Sequence, residues 1–203
     1  VDRLWRRRVV RIVRRAAPAR VLDVATGTGD LAIEMARRIA GVRVLGVDLS
    51  EQMLDVARRK VAARGLDGRV VLDAGDAEHL AVGDCAVDVA TVAFGVRNFS
   101  DLDAGLRELH RTIKPGGKVV ILEFSRPRNR IFRALYEFYS YRILPRIGGM
   151  VSRDKRAYEY LPASVGEFPA PAEFLEMMAR AGFSGCRARS QSFGIAQIYI
   201  GEK

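Results

Sequence analysis

Apolar positions recur along the chain at two periods, and the alternation between them organises the rest. Leu4, Trp5, Val9, Ile12 and Val13 fall at helical spacing, which predicts an amphipathic helix over 2–16 stopped by Pro18. Residues 21–25 form a short, largely apolar run that reads as a buried strand, followed by a helix over 30–40. A second strand covers 42–47. Ser50 with Glu51 starts the next helix, which runs to about Arg64 and ends at Gly65. Further strands are expected at 69–72, 87–93 and 118–124. A helix over 102–113 precedes the last of these, and Lys114-Pro-Gly-Gly117 makes the turn between them. Strand and helix alternate throughout, which predicts an α/β fold with a parallel sheet covered on both faces.

Beyond Phe124 the pattern changes. Residues 130–144 look helical and aromatic, with Phe132, Tyr136, Tyr139 and Leu144 prominent, and 152–162 reads as a shorter helix. Pro169 and Pro171 introduce a helix over 172–181 that Gly182 stops. Two closing runs, 183–190 and 193–201, lie close enough in sequence to pair antiparallel. There is no internal repeat or linker, so residues 1–203 are expected to form one domain.

Candidate chemistry begins at the end of the first strand. Residues 21–30 read Val-Leu-Asp-Val-Ala-Thr-Gly-Thr-Gly-Asp, and Asp48 ends the second apolar run. A strand that breaks into a Gly-x-Gly turn and opens a helix makes a nucleotide-shaped hole. An acid about twenty positions later can take both hydroxyls of a ribose. Two cofactors compete for this turn. Gly27 to Ala32 satisfies the G-x-G-x-x-A pattern of nicotinamide dehydrogenases. S-adenosylmethionine enzymes use a similar turn without a pyrophosphate; they carry an acid in the first strand, here Asp23, near the cationic methionine end. They also need a polar residue after the third strand for adenine, where Asp76 is placed. Bland roles stand beside these. Asp30 reads as a helix-start charge. Asp48 would be a cap, had Ser50 not already offered one. Asp73 and Asp76 lie in one loop and either fits plain turn chemistry, with Asp76 favoured as the ligand by its place in Gly75-Asp76-Ala77. The strand plan then separates the cofactors: a seven-stranded sheet with a reversed C-terminal strand is the methyltransferase arrangement, whereas a nicotinamide domain would continue with parallel units.

Composition modifies this picture in two places. The net charge of +10 is concentrated in Arg3, Arg6, Arg7, Arg8, Arg11, Arg14, Arg15 and Arg20, and in a second set from Arg126 to Arg146. A solvated arginine-rich face and contact with anionic lipid heads both account for it. Nucleic acid ranks behind them, because no nucleic-acid-binding motif accompanies the charge. The two cysteines, Cys85 and Cys186, have no metal-ligand spacing and are expected to be buried small apolar residues. No apolar run reaches membrane-span length and no signal peptide is present, so a cytoplasmic location is expected.

Several segments together resemble the demethylmenaquinone and ubiquinone C-methyltransferases of quinone biosynthesis. They are residues 22–30, Phe94-Gly-Val-Arg-Asn-Phe99, Lys114-Pro-Gly-Gly117, Leu122-Glu-Phe-Ser125, Leu144-Pro-Arg-Ile-Gly148, Tyr158-Glu-Tyr-Leu161 and Phe193-Gly-Ile195. The resemblance covers essentially the whole chain and implies a Rossmann-like class I methyltransferase fold. It implies S-adenosylmethionine contacts at Thr28, Asp48, Asp76 and Ala77, and at Ala93, where many members have Ser. With Asp23, Gly27 and Gly29 from the turn, these are the expected cofactor residues. Arg97 and Asn98 are the expected catalytic pair, and Phe94 and Tyr158 the expected substrate contacts; no metal is expected. Arg97 would stabilise a phenolate, since arginine does not act as a base. Glu123 would either orient Arg97 or bind substrate. His79 and His110 read as surface or interface residues. The acceptor implied is a prenylated quinol, with a naphthoquinol preferred from 155–164; a lid or interfacial surface is expected over 126–147. A ubiquinone precursor, another small molecule, RNA, or a silent cofactor-binding role are the alternatives. The family's Pro-Phe-Pro is replaced by Ala81-Val-Gly83. The chain also starts inside the Trp-Arg helix, without the preceding segment that helps cover the cofactor, so weaker cofactor binding is expected.

Overall fold

The computed structural model describes residues 2–125 and 168–203. Helix α1 (Asp2–Arg15) precedes β1 (Arg20–Val24), α2 (Asp30–Arg38), β2 (Arg43–Asp48), α3 (Glu51–Ala62) and β3 (Val70–Ala74). Then follow β4 (Val87–Ala93), a short 3-10 turn (Val96–Asn98), α4 (Leu102–Thr112) and β5 (Ile113–Phe124). Helix α5 (Pro171–Arg180), β6 (Ser184–Gln191) and β7 (Ala196–Glu202) close the described chain. The helices and strands expected within 2–125 and 168–203 are all present. Those at 130–144 and 152–162, with Tyr158 and the 126–147 lid, lie outside the described residues.

The strands form one sheet in the order β3-β2-β1-β4-β5-β7-β6. The first five run parallel, and β7 inserts antiparallel between β5 and β6. The order reverses between β1 and β4. The crevice beyond the carboxyl ends of these strands is where open α/β sheets bind ligands.

Two cores, one on each face, hold the layers together. Trp5, Val9, Val10 and Val13 of α1 and Leu31, Ala32, Met35 and Ala36 of α2 pack against Val21, Val44, Val89 and Val120. Leu106 and Leu109 of α4 and Phe174 and Met178 of α5 cover the other face against Leu22, Ala90, Ile121 and Tyr199. Each fully buried side chain of this size contributes roughly 1.5–3 kcal/mol. On α1 the buried stripe is Trp5-Val9-Val13 with Val10, and Leu4 is half-exposed off its edge.

Two expectations need correcting. Lys114-Pro-Gly-Gly117 is not a turn between α4 and a strand. It is a bulge within β5, because Ile113 already pairs with Val87 while Lys118 pairs with Val89. Gly116, at φ 78, allows that excursion. The cysteines are not buried: Cys85 is exposed in a turn at φ 51, and Cys186 is partly exposed on β6.

Candidate active site

Every loop that leaves the carboxyl end of β1, β2, β3 or β4 contributes to one cavity of about 550 Å³. That volume is within the usual range for small-molecule sites. Its floor is backbone forced into tight turns. Ala25 (φ 52) and Phe94 (φ 61) both sit in the left-handed region just after their strands. A Cβ on Gly95 would stand 2.3 Å from the Ala25 Cβ, so the loops after β1 and β4 touch there. Two non-glycine residues held in this way cost about 1–2 kcal/mol each, and strain of this kind collects at functional sites.

The glycine turn is built as its spacing predicts. Gly27 (φ 56) and Gly29 (φ 75) are left-handed. A Cβ on Gly29 would meet the Ala57 Cβ at 3.0 Å, so α3 packs hard against the turn. Asp48 fastens it: one carboxylate oxygen accepts from Gly27 N at 2.7 Å and the other from Ser50 N at 2.9 Å. Ser50 separately caps α3 by accepting from Met53 N. Each Asp48 oxygen keeps a lone pair for a ribose hydroxyl.

Asp23 lines the cavity floor, yet it is buried and engaged. Its two oxygens accept hydroxyl hydrogens from Thr26 at 2.7 Å and Thr91 at 2.6 Å. Burial pushes its carboxyl up to about 6, against the pull of those hydroxyls and of Arg6. Asp76 turns its own loop, accepting from Glu78 N, and with Ala77 lines the cavity; Asp73 does not. Asp30 opens α2 as a helix-start charge. Burial acts to raise its carboxyl, but the bond from Lys60 (2.8 Å) and the Lys60 and Arg6 charges prevail and lower it. Lys60 also donates to the Thr28 hydroxyl at 2.8 Å.

Phe94, Phe99, Arg6 and Arg97 line the other side of the cavity, and Trp5 and Phe124 pack behind Phe94. Phe94 stacks on Phe124 with centroids 4.5 Å apart, and Trp5 closes on both at 6.1 Å. Trp5 Nε1 donates to the Ser192 hydroxyl, tying α1 to the β6–β7 turn. The Arg6 guanidinium lies 5.8 Å from the centre of the Phe94 ring, and that of Arg97 5.6 Å from the centre of Phe124. Arg97 lines the cavity, and its Nη1 donates to Phe94 O at 2.6 Å and to Glu123 Oε1 at 2.8 Å. Asn98 and Ala93 line the same wall. The two histidines stand apart from the cavity: His79 is largely exposed and His110 packs edge-on to Phe183.

Sequence reasoning missed Trp5, Arg6 and Phe124, which meet Phe94 only through packing across the sheet. It missed Thr26 and Thr91, whose hydroxyls reach Asp23 from the turn after β1 and from β4. It also missed Leu49 and Met53, apolar residues left 74% and 48% exposed on the cavity wall. An apolar residue directly after the ribose acid was the one available signal for them.

These groups fit S-adenosylmethionine better than a dinucleotide. The glycine turn leaves backbone open to the cavity, Asp48 lines it with lone pairs to spare, and Leu49 and Met53 present apolar surface to it. Asp30 occupies the helix start where a pyrophosphate would sit. The fold and site define an S-adenosylmethionine-dependent methyltransferase. A methyltransferase from Aquifex aeolicus described as S-adenosylmethionine-dependent shares the fold, with a TM-score of 0.67 at 19% identity over 91% of this chain and 82% of that one.

Residues 1–203 match the model of the ubiE/COQ5 methyltransferase family, and the chain belongs to that family. It is 50% identical over 204 residues to the ubiquinone/menaquinone biosynthesis C-methyltransferase UbiE of Geobacter sulfurreducens, covering all of this chain and 79% of that protein. It is 48% identical over 202 residues to the demethylmenaquinone methyltransferase of Thermus thermophilus, again across its full length and 90% of the relative.

Proposed function

We propose that the chain methylates a ring carbon of a demethylmenaquinol, acting as one domain. When bound, S-adenosylmethionine supplies an electrophilic methyl on a sulfonium. The observation that carries the reading is the cavity's asymmetry: acids and backbone on the β1–β3 side, and the Phe94 and Phe99 rings with the fixed Arg97 guanidinium on the β4 side.

The chain's residues then have distinct tasks. Thr28, Asp48, Asp76, Ala77 and the backbone near Gly27, Gly29 and Ala93 hold the donor. Asp23, ionised above about pH 6, places negative potential under its cationic end without direct contact. Phe94 and Asn98 line the acceptor side. A ring carbon becomes nucleophilic when the neighbouring hydroxyl ionises. For a phenol of pKa about 10 this costs roughly 4 kcal/mol at neutral pH. A preorganised cation beside the phenolate offsets part of that, and Arg97 is the cation in place. Arg97 itself keeps its proton, so solvent takes the phenol's; the hydrogen replaced on the methylated ring carbon also leaves to solvent as a proton, and reprotonation of the phenolate restores the quinol. Holding donor and acceptor in line supplies much of the remaining acceleration. Tyr158 is retained as a proposed acceptor contact.

The test supplies labelled S-adenosylmethionine with demethylmenaquinol, a ubiquinone precursor and RNA side by side. Label in the naphthoquinol supports the reading. Label only in RNA, or in none of the three, overturns it.

A second reading concerns where the enzyme works. No helix among the described residues is long and apolar enough to cross a membrane. Arg3, Arg7, Arg11 and Arg14 nevertheless form a stripe along α1. With Arg38 of α2, the last three line a groove of about 290 Å³. Like charges at this spacing repel, and Glu34 is the acid beside them, bound to Arg7 and Arg38. We propose that this stripe rests on anionic lipid heads at the inner face of the cytoplasmic membrane, where a prenylated acceptor resides. Flotation with anionic liposomes at low salt tests it; absence of association overturns it.

A further inference from the structure

We propose that Glu123 is the positioning residue that sets Arg97 in place, an inference that rests on the reading of Arg97 given above. Glu123 is fully buried at the end of β5 and is not among the residues lining the cavity, so it touches neither reactant. Its two oxygens hold residue 97 at both ends. Oε1 accepts from Arg97 Nη1 at 2.8 Å and from Phe124 N at 2.8 Å, while Oε2 accepts from the Arg97 backbone N at 3.3 Å. Phe94 O and the Phe124 ring complete the seat.

A general-base role does not fit a carboxylate with no exposed surface and both oxygens engaged. Mere stabilisation does not explain it either. Burial pushes this carboxyl upward against the opposing Arg97 charge, and a buried ion pair adds little that apolar side chains of similar volume would not. What the pair does provide is order. A free arginine side chain samples many rotamers, whereas this guanidinium is aimed along the cavity wall before any acceptor arrives. The carboxylate also tempers the field Arg97 exerts. Glu123 therefore sets both the direction of the cation and its effective strength.

Glu123→Gln keeps the shape and removes the charge. It is expected to lower kcat about 10–100-fold and leave the acceptor KM and the S-adenosylmethionine Kd within about threefold. With Arg97 untempered, the acidic limb of the kcat–pH profile should move to lower pH, a change that a structural role would not produce. Combined with Arg97→Ala, it should cost no further activity beyond about threefold, because it acts through that residue. Nitrogen-15 spectra of the Arg97 guanidinium should show a sharp Nε–H signal in the wild-type protein, broadened in Glu123→Gln and partly restored in Glu123→Asp. Unchanged spectra, independent multiplication of the two activity losses, or loss of cofactor binding in Glu123→Gln would each overturn the proposal. If the wild-type protein methylated no quinol, the assigned function would fall, and the spectra would still decide what Glu123 does.

Discussion

The two sides of the cavity are built by different means. On the donor side the turn after β1, the acid ending β2 and the loop after β3 each carry their chemistry within a few residues, although the bonds that join these pieces are long in sequence: Asp48 to Gly27 across 21 positions and Thr91 to Asp23 across 68. The acceptor side is assembled at a distance. Glu123 reaches Arg97 across 26 positions, and Trp5 meets Ser192 across 187. One side is backbone and short acids in fixed turns, able to hold a cofactor whose shape never varies. The other is large side chains whose positions depend on one another. The difference teaches that binding and chemistry can be separated by substitution.

The largest effect should come from the acceptor side. Arg97→Ala is expected to lower kcat by about 10²–10³ while S-adenosylmethionine affinity, read by calorimetry, changes less than about threefold. Near-normal turnover would remove Arg97 from the chemistry and break the division.

Asp23 supplies the next. Its carboxyl rises from 3.8 to about 6 on folding. A raised carboxyl holds its proton more tightly in the folded state, so folding stability falls as pH climbs from about 4 to about 6 and is level above. The total is on the order of 3 kcal/mol. Asp23→Asn should flatten that window in denaturant titrations. Affinity for S-adenosylmethionine should rise through about pH 6 in the parent and not in the variant. Identical pH curves for the two would refute an electrostatic role.

On the donor side, Asp48→Ala removes the acceptor for two backbone N–H groups and for ribose. A cofactor affinity loss of about 10–100-fold follows from the strength of hydrogen bonds to charged groups. The double-mutant partner here is Arg97→Ala: the two losses should multiply, since Asp48 acts on the donor and Arg97 on the acceptor. The smallest effect is Ser50→Ala, which removes the α3 cap and should cost about 1 kcal/mol in thermal denaturation with turnover intact.

Much of this was legible before the fold was known, for physical reasons. Short-range spacing encodes turns, so Gly27, Gly29, Asp48 and the Ser50 cap could be read directly. The bulge at 114–117 could not, because Pro and Gly permit both a turn and an excursion, and pairing with Val87 decides between them. Cys85 was misjudged because composition says nothing about a turn at positive φ. Asp23 lines the cavity, but its surroundings were not visible in the sequence: Thr91 arrives from another strand, and it takes that neighbour to make the acid a buried, hydroxyl-bound charge.

The sequence by itself determined the alternation of strands and helices, the glycine turn and the acids that follow it, because those depend on periodicity and local backbone freedom. Only the tertiary structure decided that Glu123 grips Arg97, that Trp5 joins Phe94 and Phe124, and that Asp23 is buried, because each requires segments remote in sequence to be brought together by strand pairing or by packing of α1 on the sheet.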